Sequence, residues 1–153
     1  MEIWNKLFIV VFSAFGIWGS YLGYQKSKLG KDNLGLATPF FIYGAFVWAD
    51  IVIFGVFWAL FSITCLLLND WLLFLLGYSL FWFVRSLGET VFWFNQQFST
   101  IKRYTHKDFF FSKHFGNDNY TVWFVMQILM QCVAVVSAIL SLYFGGKWLG
   151  NVL

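Results

Sequence analysis

Arg85 and Glu89 stand four residues apart in WLLFLLGYSLFWFVRSLGETVFWFNQQF, Trp71 to Phe98, a stretch otherwise apolar enough to lie in a membrane. On a helix this spacing sets both side chains on one face, a turn apart. Ionisable groups at membrane depth are costly unless paired or wetted, so such a pair marks a polar site by default. A third charge, Asp50, sits in the preceding apolar stretch. An arginine placed between two carboxylates can pair with both through its planar fork, holding one ionised while the other titrates or meets a cation. The reading that organises the chain is an Asp50/Arg85/Glu89 cluster near the inner edge of the bilayer, with Gln127 and Gln131 at a depth that lets them join it.

The cluster depends on a hairpin. Only Asn69-Asp70 interrupts the two apolar stretches, and so short a break forces antiparallel helices, with one of these two residues capping the second. Asp50 lies 19 residues before Asn69 and Glu89 lies 19 residues after Asp70, which puts them at one level in straight helices. A second reading stands beside the first. All three charges are ~20 to 27 Å from the turn, from where they can snorkel to the inner headgroups. The Arg85/Glu89 pair then reduces to a local helix contact worth a few tenths of a kcal/mol.

The elements that carry these residues follow from hydropathy. With 153 residues, 60% hydrophobic and 11% charged, the chain cannot bury its apolar groups within itself as a soluble domain. Its apolar runs are long enough to cross a hydrocarbon core of ~30 Å as helices. The alternation and even spacing of barrel strands are missing. The expected fold is an all-α membrane protein, a single domain of four transmembrane helices in an antiparallel bundle. The spans are expected over 7–24, 40–68, 71–98 with an inner extension, and 120–143.

Thr38-Pro39 is a helix-start signal, a hydroxyl cap followed by proline in the first turn, so the second helix is expected to begin there and run to Leu68. At that length it must tilt or protrude. Small residues mark contact faces: Gly16, Ser20 and Gly23 on the first helix, and Gly44, Trp48, Ile51, Gly55, Ala59 and Ser62 on the second. On the fourth helix, Gln127, Gln131, Ala134, Ala138 and Ser141 form a polar-to-small face expected to point inward. Gly88 permits a bend in the third helix without requiring one.

Positive residues fix the expected orientation. Lys26, Lys28, Lys31, Lys102, Arg103, Lys107 and Lys113 all fall in the connectors after the first and third helices, which are therefore expected on the cytoplasmic side with both termini outside. Lys102, Arg103, Lys107 and Lys113 mix with phenylalanines, a pattern suited to anionic lipid headgroups. Nothing in the sequence resembles a basic nucleic-acid surface. His106, Asp108, His114 and Asp118 match no metal spacing, Cys65 and Cys132 form no paired motif, and aromatic residues at 24% suit lipid contact better than a cofactor pocket, so no metal or cofactor is expected.

Three functions fit. A non-enzymatic helix-packing protein, acting as an accessory or assembly subunit or as a homo-oligomer, fits the small-residue faces and the lack of a catalytic motif. A proton, ion or small-solute carrier or channel would use Asp50, Arg85 and Glu89. An enzyme acting on lipid at the cytoplasmic interface would need a nucleophile and base set that the sequence does not offer. The first is preferred. The objection to the second is that the outer halves of helices two and three offer little polarity beyond Ser62, Thr64, Tyr78 and Ser79.

Overall fold

A computed structural model describes residues 1–28, 38–101, 104 and 118–152. It is all-α. Four helices, α1 (Ile3–Lys28), α2 (Trp48–Leu67), α3 (Trp71–Phe98) and α4 (Asn119–Val152), are each long and apolar enough to cross a membrane, which makes the chain a small integral membrane protein. It divides into two compact units, Met1–Leu75 and Leu76–Leu153.

In the first unit α1 and α2 lie against each other through their smallest residues. Ile9, Phe12, Gly16, Gly19 and Gly23 form the buried side of α1, and Ile51, Gly55, Trp58, Ala59, Ser62 and Cys65 that of α2. At Gly55 the approach is so close that a Cβ would overlap Ser20 Oγ and the backbone carbonyl of Gly16. Lipid tails are as apolar as leucine, so two helices gain from meeting chiefly by close van der Waals contact, which small residues permit. Ser20 Oγ adds a hydrogen bond across the seam to the Ile51 carbonyl at 2.9 Å.

The second helix departs from its expected bounds. It starts at Trp48, not beside Pro39, and its 20 residues give a length of ~30 Å, matching the hydrocarbon core without tilt or protrusion. Thr38–Tyr43 instead forms a short 3-10 segment that ends in a turn at Gly44, where φ is 72° and the amide donates to the Phe41 carbonyl at 2.8 Å. Only glycine adopts such a backbone without strain, so Gly44 belongs to a turn and not to a helix stripe. The chain then runs extended into α2, with Val47 at φ −123° and ψ 162°.

This segment folds back beside the helices. The Tyr43 hydroxyl donates to the Phe12 carbonyl, Trp58 Nε1 donates to the Tyr43 carbonyl at 3.3 Å, and the Tyr43 and Phe12 rings lie 4.5 Å apart. Tyr43 therefore sits level with Gly16 and Gly55, ~10 Å inside the first residue of α2. Non-helical backbone survives at such depth only where protein covers it. Phe40, Tyr43, Ala45 and Phe46 are accordingly all buried.

Asn69, at φ 53°, turns the chain sharply between α2 and α3, and Asp70 Oδ1 accepts from the Leu73 amide at 3.0 Å, capping α3 as the sequence suggests. The N-terminal ammonium donates to the Asn69 carbonyl at 3.4 Å, so the start of α1 and the α2–α3 turn share one end of the unit. Phe8, Phe12, Trp58, Trp71 and Phe74 close that end with ring contacts of 5.4 to 6.3 Å.

In the second unit α3 continues unbroken through Gly88 to Phe98. Asp118 Oδ1 caps α4 by accepting from the Thr121 amide at 2.8 Å. α4 runs past Tyr143 through Gly145 and Gly146 to Val152, 34 residues in place of the span expected over 120–143. The two helices are antiparallel: Gln97 Nε2 donates to Gln127 Oε1 at 2.6 Å near one end, and a Cβ on Gly145 would stand 3.5 Å from the Leu76 side chain near the other.

Candidate functional site

Arg85 and Glu89 meet as their spacing predicts. The guanidinium Nη2 lies 2.8 Å from Glu89 Oε1, with the arginine side chain 22% exposed and the glutamate 9%. A pair held this far from solvent is screened less than a surface pair. The register set by Gln97 with Gln127 and by Leu76 beside Gly145 brings Glu89 level with α4 at about Cys132 to Val135. That is the middle of the apolar run from Tyr120 to Phe144.

The pair belongs to a longer polar face. Ser79, Ser86, Glu89 and Gln96 are all buried, and their spacings of seven, three and seven keep them on one side of α3. The hydroxyls on this helix turn back onto its own carbonyls. Ser79 donates to Leu76, Ser86 to Trp82 and Phe83, and Thr90 to Ser86. Such back-bonding satisfies a hydroxyl inside an apolar environment without a second helix.

Asp50 lies in the first unit and has a local task. Its Oδ2 accepts from the amides of Phe46 at 3.1 Å and Val47 at 3.4 Å, just ahead of α2. A carboxylate at the third helical position that reaches back to the preceding amides steadies the helix start and suits the positive end of the dipole. Because α2 begins at Trp48, Asp50 stands in its first turn instead of one third of the way along a longer helix, and this follows from the turn at Gly44.

Of the two glutamines, Gln127 is half-buried and paired with Gln97, a residue that sequence reasoning passed over. Two amides on facing apolar helices were the available signal. On the expected inward face of α4, Ala134 and Ser141 are buried and Gln127 and Ala138 half-buried, whereas Gln131 is exposed. Val122, Trp123, Met126, Met130, Ala134, Ser137 and Ser141 form the buried side, because the large Trp123 and the two methionines decide which way the helix turns. Gln131 lies ~105° around from the centre of that side.

Lys102, Arg103, Lys107 and Lys113 fall outside the described residues, as do His106, Asp108 and His114. Tyr104 within the same connector is described: its carbonyl accepts from Trp123 Nε1 at 3.0 Å and its ring lies 5.8 Å from Trp93. Among the described residues no group of three His, Cys, Asp or Glu side chains could hold a metal ion.

The chain matches no protein-family model, and no curated protein and no solved structure is similar to it.

Proposed function

We propose that this protein is a non-enzymatic helix-packing component of the membrane, an accessory or assembly subunit or a homo-oligomer. One observation carries the reading: the polar groups that a carrier or enzyme would offer to a substrate are engaged locally. The Asp50 carboxylate accepts from the amides before α2, Arg85 holds Glu89, Gln127 holds Gln97, and the serine hydroxyls of α3 bond to their own helix. The close glycine seam of α1 and α2 belongs to the same design, in which affinity between helices is built from small residues and paired polar groups. The connectors over 25–39 and 99–119 face the cytoplasm in this reading, with Lys26 and Lys28 at the end of α1 and the basic residues after α3 meeting anionic headgroups.

The runner-up is a proton, ion or small-solute carrier. It is favoured by the buried polar face of α3, which extends from Ser79 through Glu89 to Gln96 and so supplies more continuity than hydropathy suggests. The two readings separate in proteoliposomes. Glu89→Gln and Asp50→Asn are expected to lower stability or assembly while proton and monovalent-cation flux stays at the empty-liposome level for wild type and variants. Wild-type flux that disappears in a fully folded Glu89→Gln protein would replace the packing reading with transport.

A further inference from the structure

We draw no further inference here: the strongest candidate, the side-chain cluster formed by the buried Ser79, Ser86, Glu89 and Gln96 of α3 with the buried Ser137 and Ser141 of α4 in the same unit, belongs to the site already described.

Discussion

The pair formed by Arg85 and Glu89 can be weighed by a double-mutant cycle. Removing Glu89 alone, as Glu89→Leu, leaves a guanidinium that is 22% exposed without the oxygen now 2.8 Å away. Breaking one side of a pair so placed costs ~3 kcal/mol or more, because the remaining charge has lost this ion pair. Arg85→Met removes the same contact from the carboxylate side. The double variant removes both charges and keeps apolar volume, so it is expected within ~1 kcal/mol of wild type. Two unit charges at about 4 Å attract by about 4 kcal/mol at an effective dielectric of about 20. After desolvation, a measured coupling of ~2 kcal/mol is reasonable. An exposed pair at the same helical spacing gives only ~0.3 to 0.5 kcal/mol. Unfolding free energies of the full-length protein in bicelles, obtained by steric trapping, provide the four corners. Single variants within ~0.5 kcal/mol of wild type, adding without coupling, would show that both side chains reach water and would refute the argument from burial.

Gly55→Val is expected to destabilise the first unit by ~2 kcal/mol or more, since its Cβ meets the Gly16 backbone carbonyl and no rotamer change relieves that overlap. Gly88→Ala serves as the contrast: nothing stands within 4 Å of its Cβ, and a glycine replaced inside a continuous helix is expected to gain ~0.5 to 1 kcal/mol by the same assay. Asp50→Ala is expected to cost ~1 kcal/mol and to raise hydrogen exchange at the amides of Phe46 and Val47, whose acceptor it removes. Unchanged exchange at those two amides would assign the carboxylate another role.

Hydropathy and spacing made much of this structure readable. Four helical spans, the Asp70 cap, the tight turn at Asn69 and the meeting of Arg85 with Glu89 each rest on a local rule, and local rules act within one or two turns. What escaped them depends on partners distant in sequence. PFFIYGAFV is as apolar as a helix, and only the depth of cover supplied by Phe12, Gly16 and Trp58 lets it adopt a turn instead. A glycine followed by alanine, six residues before an acid, was a faint sign of a late helix start, and it pointed equally well to a contact stripe. The facing of α4 is legible only in part for a related reason. Its small residues Ala134 and Ser141 are covered as their spacing predicts, but Trp123, Met126 and Met130 share the covered side and Gln131 lies off it. Gln97 went unnoticed because an amide near a helix end reads as an ordinary boundary residue until its mate on the facing helix is known.

The inward fold of residues 38–47 has a bearing on how the chain is assembled. An insertion machine that samples hydrophobicity along the nascent polypeptide meets Phe40 to Leu68 as one continuous greasy stretch, longer than a single crossing requires. The finished molecule uses only part of it to cross. The amides and carbonyls around Tyr43 and Gly44 are shielded only where α1 and α2 lie side by side, so the Tyr43 hydroxyl bond to Phe12 and the Trp58 bond to Tyr43 depend on both helices being paired. Pairing of these two helices and burial of the segment before α2 are therefore coupled, and a lesion in the glycine seam is expected to uncover Tyr43 and Gly44 as well as part the helices.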